Sequence, residues 1–326
     1  MMFWDYLSIS GSDKQYYSMK ILFIDTVHPL LKKNLENICH NCDIAYTKKK
    51  LEVEAIIHNY DGIIIRSKFK IDKSFIDKAI NLKFIARAGS GLENIDVKYA
   101  KSKKIKCYNA AEGNRQAVAE HALGMLLSLF NNLKNCDTIV RDGKWEREAN
   151  RGVELSGKTV GIIGYGNNGS SFANVLKGFQ VNILAYDKYL KEYPYKSSIK
   201  TIYEEADILS LHVPLTKETT YLINKNLISN FQKEFYLINT SRGKCVNTKQ
   251  LVSALKQGKI KGACLDVLEY EDKSFEGINK AEIMTEAEYL INSDKVVLSP
   301  HVAGWTLESN VKIAEILFKK IISDFV

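Results

Sequence analysis

The sequence predicts an α/β protein made of two units, each containing a parallel β-sheet. Short apolar runs that favour strands alternate with helical stretches from residue 19 onward, which is typical of parallel sheets covered by helices. A glycine-rich turn at 164–169 joins one such strand to a helix. The stretch 117–133 is apolar on nearly every helical face, so we expect a helix that is buried between layers and connects the two units.

The elements can be assigned in chain order from the positions of the apolar runs. In the first unit, strands are predicted at 21–24, 62–65 and 84–86, and helices at 29–38 and 72–80. In the second unit, strands are predicted at 159–163, 181–186, 207–211, 235–239, 263–265 and 296–298, and helices at 168–177 and 307–322. We assign residues 1–18 to an N-terminal extension, residues 19–117 and 303–326 to the first domain, and residues 118–302 to the second.

The turn in the second domain has GxGxxG spacing. Gly164 allows a tight turn from strand to helix, Gly166 lets the backbone approach a pyrophosphate, and Gly169 lets the helix pack closely on the strand. Asn167 and Asn168 stand at the start of that helix, whose free N–H groups would face the phosphates. This motif between a strand and a helix predicts a Rossmann dinucleotide-binding domain.

A carboxylate follows the second strand of this domain. Asp187 comes eighteen residues after Gly169, where it would accept hydrogen bonds from the adenosine ribose hydroxyls and repel a 2′-phosphate. We therefore expect the cofactor to be NAD rather than NADP. The alternative is an ordinary surface turn, since Lys188 follows directly.

The composition limits the classes of function. The 326 residues are 45% hydrophobic and 26% charged, which is typical of a globular protein with a large core. The formal net charge is +8, but the lysines are scattered, which argues against nucleic-acid binding and favours anionic small molecules. Without a membrane-length apolar stretch or a secretory signal, we expect a cytoplasmic protein that does not bind membranes. Cys39 and Cys42 lack a second ligand pair at zinc-site spacing, so we predict reduced thiols and no metal.

Polar residues follow the later predicted strands in a particular order, at 239–243, 266–271 and 299–301. Five segments earlier in the chain also carry characteristic residues, and they lie at 66–67, 87–96, 114, 118–121 and 212–216. With these segments the chain resembles the D-2-hydroxyacid dehydrogenase family from about residue 19 to its C-terminus. The resemblance implies NAD-dependent oxidoreductase activity on a CH–OH group. It also implies a flavodoxin-like substrate-binding domain beside the Rossmann NAD-binding domain.

The resemblance implies that Arg242, Glu271 and His301 are the catalytic residues. Oxidation of a secondary alcohol needs a base for the hydroxyl proton while the hydride leaves, and a neutral imidazole suits this role, so His301 is expected to be the base. Glu271 would hold the other ring nitrogen and fix the tautomer. Arg242 would bind the substrate carboxylate and polarise the carbonyl oxygen through its planar set of donors.

Further roles follow from the same resemblance. Cofactor contacts are implied for His212, Pro214, Thr240, Asp266 and Gly304. Asp266 would orient the nicotinamide carboxamide, whereas a structural role for His212 is equally open. Backbone N–H groups of Ser90 and Gly91, together with Asn114, would hold the substrate from the first domain. His121, on the apolar helix, is interpreted as a core histidine.

Several arginines indicate which hydroxy acid is bound. Segment 142–147 resembles that of 3-phosphoglycerate dehydrogenases, as do the segments containing Arg66, Ser67 and Arg87. A phosphate needs several donors, which Arg66, Arg87 and, from a neighbouring subunit, Arg147 would supply. We hypothesise that 3-phosphoglycerate is oxidised here, as the first oxidation toward serine. One alternative is that Arg66 and Arg147 are packing or dimer-interface residues. Others are the same chemistry on glyoxylate, hydroxypyruvate or D-lactate, and an NAD-sensing protein without turnover.

Two features depart from the family pattern. Asp272 stands where the family commonly has Pro after the catalytic glutamate, and it leads into a polar insertion at 273–280. Trp305 would narrow the pocket beside His301. The family resemblance implies a homodimer or a higher homo-oligomer in which the segment 131–151 reaches across. Because 25 residues follow His301, we also expect a short form without a C-terminal regulatory domain.

Overall fold

A computed structural model describes residues 18–271 and 285–325. The extension assigned to residues 1–18, apart from Ser18, and the insertion at 273–280 lie outside these residues. The first sheet contains five parallel strands, which are β1 (Lys20–Phe23), β2 (Asn41–Ile44), β3 (Gly62–Ile65), β4 (Phe84–Arg87) and β5 (Lys106–Tyr108). Their order is β2-β1-β3-β4-β5, which is the flavodoxin-like order.

The helices of the first sheet flank its buried central strands. They are α1 (Pro29–Asn37), α2 (Lys50–Glu54), α3 (Lys73–Lys78) and α4 (Val97–Ser102). Two of them begin at aspartate N-caps, since Asp72 accepts from the backbone N–H of Phe75 at 3.1 Å and Asp96 accepts from that of Tyr99 at 3.0 Å. Strand β3 is buried along its whole length, which explains its unbroken run of isoleucines.

Two further helices connect the two sheets. Helix α5 (Arg115–Phe130) packs on the second sheet through buried residues that include Leu126 and Phe130. The C-terminal helix α12 (Leu307–Phe325) returns to the first sheet, where Leu317 and Ile321 join its core and the ring of Phe325 lies 5.5 Å from that of Phe84. Helix α6 (Leu133–Arg141) follows α5 and has no buried residue.

The second sheet contains six parallel strands. They are β6 (Thr159–Ile163), β7 (Asn182–Tyr186), β8 (Ile208–Leu211), β9 (Phe235–Asn239), β10 (Ile260–Leu265) and β11 (Val296–Leu298). The order is β11-β10-β9-β8-β6-β7, so the direction of winding reverses between β6 and β8. Ligands of such sheets bind at the carboxyl ends of the strands beside this reversal.

The second sheet is covered by α7 (Asn167–Leu176), α8 (Ile199–Glu205), α9 (Lys225–Asn230), α10 (Thr248–Lys256) and α11 (Thr285–Asn292). Short 3₁₀ turns lie at Ile57–Asn59, Glu148–Asn150, Lys177–Phe179 and Gly243–Cys245. Between residues 18 and 325, apart from 272–284, no helix has the length and apolar character needed to cross a membrane.

The predicted α/β class and both domain folds are confirmed. Strands β3, β6, β9 and β11 have the predicted bounds, and the other predicted elements differ by a few residues. The connecting helix begins and ends earlier than the predicted 117–133, since it runs from Arg115 to Phe130. Strands β2 and β5 were not predicted, because both are edge strands whose short sequences, NCDI and KCY, have no buried residue.

Candidate active site

A cleft of about 270 Å³ lies where the two sheets face each other. The carboxyl ends of parallel strands share one edge of a sheet, and this edge brings together residues that are far apart in the chain. The predicted residues that line the cleft are Arg66, Ser67, Arg87, Ser90, Asn114, Asn168, Thr240, Arg242, Asp266, His301 and Gly304.

His301 and Glu271 form a close pair beside this cleft. His301 Nδ1 lies 2.6 Å from Glu271 Oε2, and both side chains are largely buried. The other oxygen, Glu271 Oε1, accepts a hydrogen bond from the backbone N–H of Leu268. Since the carboxylate accepts from Nδ1–H, it fixes the tautomer in which Nε2 carries the lone pair. A histidine held in this way is suited to exchange a proton with a ligand in the cleft.

A buried carboxylate anchors the loop that carries His301. Asp266 is 2% exposed, and its oxygens accept from Ser299 Oγ at 2.6 Å, from the backbone N–H of Val302 at 2.8 Å and from that of Ala303 at 2.9 Å. The backbone N–H of His301 donates to the Asp266 carbonyl at 2.8 Å. These bonds hold His301 in a left-handed conformation with a φ of 56°.

His121 extends this network. Its Nε2 lies 2.8 Å from Ser299 Oγ and 3.6 Å from Asp266 Oδ1, and its side chain is partly exposed. A core histidine with satisfied hydrogen bonds was predicted here. His121 has a hydrogen-bond partner in Ser299, but its side chain is partly exposed and lies behind the loop of His301 rather than fully in the core.

The first domain contributes positive charge to the cleft. Arg87 is partly buried, and desolvation lowers its pKa to about 10, so the side chain remains protonated at neutral pH. Its Nε donates to the carbonyl of Arg66 at 3.1 Å. The guanidinium of Arg66 lies over the ring of Trp305, 4.2 Å from its centroid. Trp305 therefore lines the cleft, as expected, and its ring holds the guanidinium of Arg66.

The substrate side of the first domain is fixed by hydrogen bonds between loops. Ser90 Oγ donates to Asn114 Oδ1 at 2.7 Å, and Asn109 Nδ2 donates to the Ser90 carbonyl at 2.6 Å. A Cβ at Gly304 would lie 2.4 Å from Asn114 Nδ2, so a side chain at this position would displace the amide. Asn114 is thus confined between the two domains.

The glycines of the turn have the expected geometry. Gly164 has a φ of 90°, and a Cβ there would lie 2.3 Å from the His212 carbonyl oxygen. A Cβ at Gly169 would lie 2.0 Å from the Gly164 carbonyl oxygen, so only glycine allows this close packing of α7 on β6. No described atom lies within 4 Å of a Cβ built at Gly166, which leaves room for a ligand to approach the backbone at the start of α7.

Two residues that line the cleft carry a buried polar atom without a partner among the described residues. Asn168 Oδ1 and Thr240 Oγ1 are buried and have no hydrogen-bond partner among the described residues, although both residues line the cleft. Buried polar atoms are normally satisfied, so these two indicate a ligand with hydrogen-bonding groups. Together with the open backbone at Gly166, they fit a bound dinucleotide.

Asp187 is positioned by its own loop. Its carboxylate accepts from the backbone N–H groups of Tyr165, Tyr189 and Leu190 at 2.8, 2.9 and 3.1 Å. Burial acts to raise the pKa of Asp187, but these three hydrogen bonds outweigh it and hold the pKa below its ordinary value. The negative charge of Asp187 therefore lies at the carboxyl end of β7, beside the glycine turn.

His212 is a neutral histidine at the end of β8. Burial lowers its pKa to about 3, and its Nε2 lies 2.8 Å from Ser210 Oγ. Its ring packs against that of Phe172, with 5.3 Å between centroids. These contacts agree with the structural role that the sequence left open, and Pro214 follows two residues later in the same loop.

Arg147 is not brought to the cleft within one chain. It is exposed in the segment after α6 and is absent from the lining of the cleft. Conversely, Glu93, Asn310 and Ile313 were given no role in the sequence analysis. Asn310 and Ile313 line the cleft from α12, and Glu93 binds Arg242. Glu93 lies in the segment 87–96 that carries the family resemblance, but its pairing with Arg242 depends on how the two domains meet, and no motif marks Asn310 or Ile313.

The doubly wound sheet with its glycine turn, next to a histidine–carboxylate pair and several arginines, defines a nicotinamide-dependent oxidoreductase for anionic hydroxy acids. The sequence model of the D-isomer specific 2-hydroxyacid dehydrogenase NAD-binding domain matches residues 123–303. The chain belongs to this family of NAD-dependent enzymes, which act on the CH–OH group of 2-hydroxy acids.

Relatives within the family differ in their substrates. Hydroxypyruvate reductase of Thermotoga maritima is 34% identical, with 91% of this chain and 96% of the relative covered. D-3-phosphoglycerate dehydrogenase of Archaeoglobus fulgidus is 36% identical over 82% of this chain, which spans only 50% of that relative. The structure of D-lactate dehydrogenase from Aquifex aeolicus complexed with NAD and lactic acid is 28% identical, covers 94% of this chain and 95% of that chain, and superposes with a TM-score of 0.77.

The unpartnered hydroxyl of Thr240 gives a test of the cofactor site. We expect Thr240→Val to weaken NADH binding roughly 3- to 10-fold, because a hydrogen bond of about 0.5–1.5 kcal/mol to the ligand is lost. The free energy of unfolding should stay the same or rise, since a buried unsatisfied group is removed. Fluorescence titration and thermal unfolding measure the two effects. Thr47→Val, at an exposed position outside the cleft, is the matched control, and equal NADH affinity in both variants would contradict the assignment.

Proposed function

We propose that this protein oxidises D-3-phosphoglycerate to 3-phosphohydroxypyruvate with NAD, in the cytoplasm and toward serine. The observation that carries the proposal is the presence of three arginines, Arg66, Arg87 and Arg242, in the same cleft as His301. A substrate with a carboxylate at one end and a phosphate at the other needs this many cationic donors. The positive net charge of +8 also favours an anionic substrate.

His301, Glu271 and Arg242 each have one task in the proposed reaction. His301 Nε2 takes the proton of the substrate hydroxyl, while Glu271 holds Nδ1 and stabilises the imidazolium that forms. Bound NAD supplies the ring carbon that accepts the hydride. Arg242 binds the substrate carboxylate and stabilises the carbonyl oxygen as it forms. Backbone N–H groups at Ser90 and Gly91 hold the same carboxylate from the first domain.

The residues that would hold the cofactor lie along the carboxyl edge of the second sheet. The turn formed by Gly164, Gly166 and Gly169, at the N-terminus of α7, would hold the pyrophosphate. Asp187, whose lowered pKa keeps it charged, would accept hydrogen bonds from the ribose hydroxyls of the adenosine half. At the nicotinamide half, Asn168, Thr240, Asp266 and Gly304 line the cleft. Asp266 already accepts three hydrogen bonds from its loop, so it orients the ring from a fixed position.

The phosphate would lie on the side of the cleft formed by the first domain. Arg66 and Arg87 are at the end of β3 and β4, next to Ser67. The backbone N–H groups of residues 66, 67 and 68 all donate to Asp25 Oδ2, at 2.6, 3.0 and 3.1 Å. These three hydrogen bonds fix the backbone from which the Arg66 side chain extends.

Reduction of hydroxypyruvate is a second candidate. The Thermotoga maritima hydroxypyruvate reductase is matched over 96% of its length, whereas the Archaeoglobus fulgidus phosphoglycerate dehydrogenase is matched over 50%. The guanidinium of Arg66 is also already held over the ring of Trp305 without a phosphate. The catalytic chemistry of the two candidates is the same, and only the contacts to the distal end of the substrate differ.

Arg66→Met separates these two candidates, because methionine keeps an apolar stem against Trp305 but removes the charge. We expect kcat/KM for D-3-phosphoglycerate to fall roughly 10- to 100-fold through loss of a charged hydrogen bond. For D-glycerate, which lacks the phosphate, we expect a change within about twofold. NADH absorbance with both substrates is the measurement. Equal losses on the two substrates, or wild-type turnover of unphosphorylated acids alone, would refute the phosphate site.

We also propose that the protein is a homodimer in which helix α6 and the segment after it contact the second copy. Leu133, Val140 and Trp145 are exposed there, and α6 has no buried residue in one chain. A second subunit would cover these side chains and would bring Arg147 toward a cleft.

Light scattering tests this assembly. We expect a mass of twice the 37.0 kDa chain for the wild type and a shift toward one chain for Val140→Asp, which places a charge in the apolar contact. Lys177→Asp, a charge change outside this segment, should leave the mass unchanged. A wild-type protein that has the mass of one chain at micromolar concentration would contradict the proposal.

A further inference from the structure

One ion pair bridges the cleft between the two domains. Glu93 lies in the loop that follows β4 of the first domain, and Arg242 follows β9 of the second domain, 149 residues later. Arg242 Nε donates to Glu93 Oε1 at 2.8 Å, and Arg242 Nη2 lies 2.7 Å from the same oxygen. A single carboxylate oxygen therefore covers one complete edge of the guanidinium group.

The N–H donors of Arg242 are only partly bound within the protein. A guanidinium group has five N–H donors in a plane. The donor on Nε binds Glu93, one donor on Nη1 binds the carbonyl oxygen of Ser241 at 2.7 Å, and Nη2 lies in ion-pair contact with Glu93. Donors therefore remain on both terminal nitrogens, and a guanidinium group can present one N–H from each of them side by side. Such a pair matches the two oxygens of a carboxylate.

We propose that Glu93 is a positioning residue, which fixes the plane of the Arg242 guanidinium so that its terminal N–H pair meets the substrate carboxylate. The inference rests on the proposed function of the cleft, because it deepens the role of Arg242 there. Glu93 itself acts through Arg242 and takes no part in the proton or hydride transfer.

The surroundings of Glu93 support a fixed geometry. A Cβ built at Gly91 would lie 1.9 Å from Glu93 Oε2 and 2.5 Å from Arg242 Nη2, so the backbone of this loop runs directly against the ion pair. Burial acts to raise the pKa of Glu93, but the charge of Arg242, hydrogen bonds and the charge of Arg87 together lower it, and the carboxylate stays ionised. The pair is therefore held from both sides of the cleft.

Two other roles for Glu93 make different predictions. If Glu93 merely offset the positive charge of the arginines, its removal would strengthen anion binding. If it occupied the place of the substrate carboxylate, its removal would also strengthen binding, since a competitor would be lost. Positioning predicts the opposite, because a mobile guanidinium binds a carboxylate less well.

The experiment compares Glu93→Ala with Glu93→Gln. Oxamate, an unreactive analogue of a 2-keto acid, is titrated into the enzyme–NADH complex, and KM and kcat are measured with D-3-phosphoglycerate and D-glycerate. We expect Glu93→Ala to raise the Kd of oxamate and the KM of both substrates about tenfold, because all three ligands share the carboxylate. Glu93→Gln keeps an acceptor oxygen for Nε, so it should restore a large part of this loss. NADH affinity should change by less than about twofold.

Glu112→Ala is the matched control. Glu112 also pairs with a cation, Lys320, at 2.9 Å, but it does not line the cleft, so oxamate binding should be unaffected. In an Arg242→Lys background, Glu93→Ala should add little further loss, because the residue it positions is already changed. Unchanged or tighter oxamate binding in Glu93→Ala would overturn the proposal, as would additive losses in the double variant.

The oxamate titration also separates this proposal from the assignment of substrate. If the wild type failed to oxidise D-3-phosphoglycerate but bound oxamate more tightly than Glu93→Ala does, the phosphate assignment would fall and the positioning role would stand. If the wild type oxidised D-3-phosphoglycerate while Glu93→Ala kept the wild-type Kd and KM, the positioning role alone would fall.

Discussion

The buried carboxylate of Asp266 is the interaction on which the geometry of the cleft depends. A charge that is 2% exposed is costly unless donors surround it, and here Ser299, Val302 and Ala303 supply three hydrogen bonds. These same bonds fold the chain after β11 into a tight loop, so the satisfaction of one buried charge sets the position of His301. The left-handed backbone of His301 is a strained conformation that this loop imposes. A side chain held in this way loses little conformational entropy when a ligand arrives.

The second constraint is the balance of charge across the cleft. Arg66, Arg87 and Arg242 repel one another, and burial has already lowered the pKa of Arg87 to about 10. Glu93 offsets part of this repulsion from within the site, and the face of Trp305 attracts the guanidinium of Arg66. The arrangement keeps three cations close together in one cleft. It also explains why residues from both domains are needed, since neither domain alone places all three arginines around one space.

Local patterns in the sequence predicted the fold and the nucleotide-binding turn well. The turn at Gly164 and Gly169 could be predicted because its glycines obey steric rules that act over a few residues. The residues at strand ends followed from the family resemblance, and their convergence in one cleft follows from parallel topology. The pairing of Glu93 with Arg242 could not be predicted, because 149 residues separate them and the contact depends on how the domains meet. The stacking of Arg66 on Trp305 and the polar surroundings of His121 depend on tertiary packing in the same way.

Proton transfer in the proposed reaction depends on His301. The most direct measurement compares His301→Asn with the wild type in NADH formation from D-3-phosphoglycerate and D-glycerate, with NADH affinity measured in parallel. Loss of the base should lower kcat/KM by about a hundredfold to ten-thousandfold and leave NADH binding nearly unchanged, while the exposed His58→Asn keeps full activity. Retention of wild-type turnover by His301→Asn would contradict the account.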